Sequence, residues 1–316
     1  MINGKKIFKL YDTYGFPIDI SNIIAKENNL KIDFYSFEEE MNKQKNISKN
    51  FIKKYEWNFV KKKYNPKFLG YYRSSCTIQI LQYRIIKINN EKYYQLVFDK
   101  TPFFPNIYGQ INDIGIIKNE YEKIDILNVK KENNIILHYT KKLPNNLKFK
   151  FNALVDYDRR NIIKKNHTSI HILYYLLKKI LGKHIKKIGF YMFINYFYFD
   201  FYYNSKLNIE KILKIEKYFN KIIIEKKPII EKFISIEKAK NYFKKYSFCN
   251  KEVKKDILTY TFCKNEEIIK IIKLNNIIKE FCLGINIDNT FNINNFKIIS
   301  YYYISSCIIR IKATTN

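Results

Sequence analysis

The segment Asn166-His-Thr-Ser-Ile-His171 sits inside a run in which Ile163, His167, Ile170, His171, Tyr174, Leu177 and Leu181 recur at helical spacing, with Gly182 directly after it. That period predicts a buried helix closed by a glycine cap, and it decides the fold of the carboxyl-terminal half. Beyond it, two aromatic strands are expected to form a hairpin around Asn195, and a helix is expected from about Asn208 to Lys227, ahead of Pro228. The rest alternates helix and strand, so this half reads as α+β.

Upstream the texture differs. From Tyr71 to Asp156 short strands are expected, with Cys76, Ile78 and Ile80 alternating, then Phe149, Phe151, Ala153 and Val155, and punctuation at Pro102, Pro105, Gly109 and Pro144. A small β-barrel or curled sheet fits that pattern. Residues 18 to 56 read as helical, with Ser21 as one cap and Ser36 with Glu39 as a capping box ahead of Phe37 and Met41.

Composition bounds the function. A chain of 316 residues with 47% hydrophobic content can bury a core in two or three domains. The net charge of +29 suits nucleic acid, but the 58 basic residues include few arginines (Arg73, Arg84, Arg159, Arg160, Arg310), and Lys, Asn, Ile, Tyr and Phe crowd the whole chain. Part of the lysine excess is therefore compositional, and the competing reading is a set of solvated lysine faces. The aromatic run Phe190 to Tyr203 is interrupted by Asn195 and Asp200 and is too short to span a bilayer, so no membrane role and a cytoplasmic location are expected. Cys76, Cys249, Cys263, Cys282 and Cys307 are odd in number and scattered, which predicts free thiols.

His167 and His171, four apart on a helix, present both imidazoles on one face, a geometry that lets two nitrogens reach a single Zn²⁺. The same spacing also arises in hydrogen-bonded core histidines, and the residues alone leave both readings open. His184 reads as structural.

Several motifs go further. Asp156, Arg159, Arg160 and Asn166-His167-Thr168, then Leu181-Gly182-Lys183-His184 and Phe199-Asp200-Phe201, resemble the editing domain of alanyl-tRNA synthetase. So do Asp99-Lys-Thr101-Pro102-Phe103-Phe104, Gly109-Gln110, Asp113 and Gly115 upstream, and Glu280-Phe281-Cys282-Leu283-Gly284, Phe296-Lys297-Ile298 and Arg310-Ile311-Lys312-Ala313 downstream. At the amino end Leu10-Tyr11-Asp12-Thr13-Tyr14-Gly15-Phe16-Pro17, continued by Phe37, Met41 and Gln44, resembles a signature of that family's tRNA-recognition region.

The resemblance implies an α+β protein in three parts. These are a short helical end of the tRNA-recognition region over 1–60, a small β-barrel over 65–156, and a two-layer editing domain of the threonyl/alanyl-tRNA synthetase type over 157–316. It implies tRNA(Ala) as partner, with Asp12, Arg159 and Arg160 toward the RNA, and zinc-dependent hydrolysis of Ser- or Gly-tRNA(Ala). His167, His171 and Cys282 match three of the family's Zn²⁺ ligands. The fourth position is Asn286, a poor substitute for imidazole, so metal affinity is expected to fall, or a water or Asp288 to complete the shell. Thr168, Gln110, Lys187 and Asp200 fall at editing-pocket positions. Lys187 stands for a glutamine, Phe190 for a serine, Tyr198 for an arginine and Asn106 for a glutamate, so the pocket reads as eroded.

The ATP-binding motifs of class II catalytic cores have no counterpart, and no residue reads as catalytic for aminoacylation. Alanine attachment would need a catalytic part supplied from elsewhere, such as a separate N-terminal synthetase chain, and ATP would serve only that part. The alternatives are an editing-defective tRNA-binding module and an inactive remnant of a split synthetase.

Overall fold

The computed structural model describes the chain except for residues 15–17, 54, 62–64, 108, 236, 239–267, 276 and 316. Cys249 and Cys263 lie outside the described residues, whereas Cys76, Cys282 and Cys307 are free thiols. Helices and antiparallel sheets coexist in an α+β fold. No described helix is long and apolar enough to cross a membrane.

Three helices open the chain: α1 (Gly4–Tyr14), α2 (Ile18–Glu27) and α3 (Phe34–Lys53). They close around Ile7, Ala25, Ile32 and Phe37. The caps differ from those expected. Asp33, not Ser36, caps α3, its carboxylate accepting the Ser36 N–H at 3.1 Å. The Ser36 hydroxyl instead accepts the Gly4 N–H at 2.9 Å, tying α1 to α3, and Ser21 lies buried within α2. A side chain at Gly4 would collide with the Asp33 carbonyl and the Ser36 hydroxyl, so glycine is what allows the two helices to meet.

The second unit is an eight-stranded sheet built on the long strand Ser75–Ile88, which pairs with Glu91–Phe98 on one side and Lys150–Val155 on the other. Two hairpins turn on Asn89-Asn90 and Asn133-Asn134, each pair at positive φ, the backbone that two-residue hairpin loops of matching twist demand. The barrel expectation is corrected here. The ends of the pairing order, Lys123–Ile126 and Asn128–Glu132, are halves of one segment interrupted at Leu127. The first half pairs with Gly115–Lys118 and the second with Ile135–Thr140, and no ladder joins the halves side by side. The result is a sheet curled about Ile78, Ile80, Ile124, Val129 and Phe151.

The third unit carries α4 (Tyr157–Leu181) and α5 (Ile209–Ile224) over a four-stranded antiparallel sheet. Its strands run in the order Lys186–Met192, Phe197–Tyr202, Ile308–Thr314, Lys297–Tyr303, and the first two form the expected hairpin about Asn195. Asp156 caps α4 through its side chain, and Gly182, at φ 118°, returns its N–H to Lys178. Asn208 caps α5. Alternation puts Phe197, Phe199 and Phe201 under Leu173, Leu177, Ile215 and Phe219 in one core. A three-stranded sheet, Ile229–Ser235, Ile268–Leu274 and Ile278–Phe281, adjoins this layer and ends at Cys282.

Candidate metal centre

One turn of α4 supplies His167 and His171, both 4% exposed, because positions four apart share a face and this face is turned inward. The strand Ile278–Phe281 delivers Cys282, 2% exposed, to the same place. Donor atoms of the three residues lie within 4.8 Å of one another, and the Cys282 sulfur is 3.5 Å from His167 Nε2. Glycine permits this closeness, since a Cβ at Gly284 would overlap both the His167 ring and the Gln110 amide.

The outer nitrogens are anchored. His167 Nδ1 meets Gln110 Oε1 at 2.8 Å, and His171 Nδ1 meets Glu280 Oε2 at 2.6 Å. His171 Nε2 is buried without a hydrogen-bond partner among the described residues. Burial opposes ionisation of Cys282, but the two imidazoles outweigh it and hold the thiol well below its ordinary pKa. Burial likewise disfavours charge on His171, yet the Cys282 sulfur and Glu280 raise its pKa to about 9, while burial lowers that of His167. The donor set fits Zn²⁺: a thiolate, two imidazoles whose inner nitrogens face it, an orphaned buried nitrogen, and outer partners that fix the ring orientation.

The other expected residues are distributed unevenly. Gln110 and Thr168 are buried at the centre, and the Gln110 carbonyl also accepts the Ile285 N–H at 3.0 Å. Asn286 is present too, with its nitrogen 3.1 Å from the Cys282 sulfur. Phe190 leans against His167 with ring centres 5.8 Å apart, and exposed Lys187 lies over Phe190 at 4.7 Å. Asp200 is instead held by Arg310 in a bidentate pair at 2.7 and 2.6 Å across neighbouring strands, so its carboxylate serves the sheet. Asp288 is exposed and accepts from Asn292 at 2.6 Å, which corrects its expected place at the metal.

Arg160, expected to face RNA, is also corrected. It is 3% exposed, and its guanidinium pairs with Asp113 and donates to the carbonyls of Arg73 and Pro102, clasping α4 to the curled sheet. Arg159 is half-buried with Nε on the Asn112 carbonyl. Asp12 is exposed on α1 and accepts from Gln44 Nε2 at 2.6 Å.

Sequence reasoning did not single out Glu280, Glu231 or Lys270 as parts of the centre. Glu280 had a signal, an acid two residues before the cysteine on an alternating strand. Lys270, buried on its strand and bonded to Glu231 at 2.5 Å, had none.

The chain has relatives among known proteins that match it along its whole length. The family model described as tRNA synthetases class II (A) matches residues 1–160, and the chain belongs to that family. The alanine–tRNA ligases of Bacteroides fragilis and Bacteroides thetaiotaomicron are 34% and 35% identical to it over the whole chain. That of Cytophaga hutchinsonii is 34% identical over 99% of it. In each case the chain spans 35% of the relative's length.

Proposed function

We propose that this chain serves an alanine–tRNA ligase as the part that holds tRNA(Ala) and hydrolyses Ser- or Gly-tRNA(Ala), in the cytoplasm, with Zn²⁺ on His167, His171 and Cys282. The observation that carries this reading is the meeting of those three donors within 4.8 Å while both outer imidazole nitrogens are occupied. Bound there, the metal would supply Lewis acidity toward an ester.

The chain's own residues prepare the site. Glu280 and Gln110 fix the two rings, and the Gln110 carbonyl is taken by two N–H donors, while its buried Nε2, without a partner among the described residues, is available to a substrate oxygen. Asp12, exposed on α1, is positioned by Gln44 to accept from a base edge in the acceptor stem. Attachment of alanine is assigned to an ATP-using core for which this sequence has no counterpart.

Purified chain incubated with Ser-tRNA(Ala), with and without chelator, tests the reading. Chelator-sensitive release of serine is expected, and release no faster than in buffer would remove it. A second reading, a tRNA-binding module without hydrolysis, is favoured by Phe190 leaning against His167. It would give RNA binding with no release.

A further inference from the structure

We infer that Asn286 donates a hydrogen bond to the Cys282 sulfur and does not ligate the metal, so the centre offers three protein donors and one open coordination position. This rests on the zinc reading and deepens it.

The orientation of the Asn286 amide follows from its neighbours. Lys270, its side chain 1% exposed, donates to the Glu231 carboxylate and to the Gly284 carbonyl. The Lys270 amine donates to Glu231 Oε1, so that oxygen already serves as an acceptor. The Asn286 group 3.1 Å from Glu231 Oε1 must therefore be the NH₂. Its nitrogen also lies 3.1 Å from the Cys282 sulfur, the thiolate of the site.

The other end of the amide agrees. Thr168 takes the Ile287 N–H on its oxygen at 3.2 Å and turns its hydrogen to Asn286 Oδ1 at 3.3 Å. The carbonyl oxygen, the only atom of asparagine able to bind a cation, is thus held toward Thr168. Flipping the amide would set that oxygen against a carboxylate and a thiolate and leave the Thr168 hydroxyl facing an NH₂.

Two chemical consequences follow. An N–H···S bond offsets the buried charge of the thiolate and fixes where its sulfur points, as outer partners of metal ligands do. Three protein donors with an unfilled fourth position distinguish hydrolytic zinc centres from closed structural ones. Asn286 therefore keeps the site open where an imidazole would fill it.

The test uses Co²⁺ as a visible probe in the full chain. Titrating the cobalt-loaded chain with imidazole should shift its visible spectrum saturably, because an open position accepts an outside ligand. Asn286→His should abolish that shift. By competition with a chromophoric chelator, Asn286→Ala should weaken Zn²⁺ by about tenfold, the scale of a lost outer partner, while Cys282→Ala removes binding. A wild-type spectrum indifferent to imidazole, or metal loss in Asn286→Ala equal to that in Cys282→Ala, would overturn the inference and leave the zinc reading standing. A wild-type chain that binds neither Co²⁺ nor Zn²⁺ would overturn both.

Discussion

His171 Nδ1 and Glu280 Oε2 are 2.6 Å apart, with the histidine side chain 5% and the glutamate side chain 27% exposed. This contact turns the other ring nitrogen, which has no hydrogen-bond partner among the described residues, toward Cys282. A carboxylate behind a ligating imidazole fixes its tautomer and raises its basicity.

Removing that support should therefore cost metal before it costs fold. Glu280→Ala is expected to lower Zn²⁺ affinity by about 10- to 100-fold, measured by chelator competition. Far-ultraviolet circular dichroism should stay unchanged, since Glu280 lies near the end of a short strand.

The buried Arg160–Asp113 pair makes a prediction about stability. Arg160→Met would strip Asp113, which is 0% exposed, of its cation and leave the Arg73 and Pro102 carbonyls without a donor. A loss of about 3–5 kcal/mol is expected by urea unfolding. Arg159→Ala, at a half-buried position bonded to one carbonyl, should cost about 1 kcal/mol or less.

Acid should weaken the curled sheet through His138. This ring is fully buried between Thr101 and the Leu96 carbonyl and stacked on Phe98, and burial lowers its pKa from 6.5 to about 3, against the opposing Leu96 hydrogen bond. The folded state keeps it neutral while the unfolded chain gains a proton below pH 6.5. Stability present above that pH is therefore lost as pH falls toward 3. Relative to His138→Gln, the wild type should lose about 2 kcal/mol between pH 6.5 and 5, read from urea midpoints at each pH. Parallel profiles would contradict the assignment.

If Asp12 reads the acceptor stem, Asp12→Ala should narrow the preference for tRNA(Ala) over a tRNA with a different acceptor stem. About tenfold or more is the expected change, corresponding to one lost base-edge contact. Equal loss on both RNAs would point to a general effect on α1.

Local pattern explains what the sequence could reveal. The 3.6-residue period from Ile163 to Leu181 with Gly182 marked α4, because one face of that helix is buried along its length. Aromatic alternation marked the hairpin about Asn195 for the same reason. Long-range partnerships left weaker traces. Cys282 meets His167 across 115 residues, and only motif resemblance brought them together in advance. Arg160 looked like a surface cation because its partners, Asp113 and the Arg73 and Pro102 carbonyls, lie in a different unit. Ser36 matched a capping box, but Asp33 stood three residues earlier with a stronger acceptor, freeing the serine hydroxyl for Gly4. The Asn-Asn hairpin turns carry a signal of their own, paired residues that tolerate positive φ, but it is diluted by the many other asparagines.

The zinc content of the purified wild-type chain, set beside that of Cys282→Ala, bears most directly on the centre. About one Zn²⁺ per chain is expected in the wild type and close to none in the variant. Equal zinc in the two proteins, at any level, would contradict a metal held by His167, His171 and Cys282.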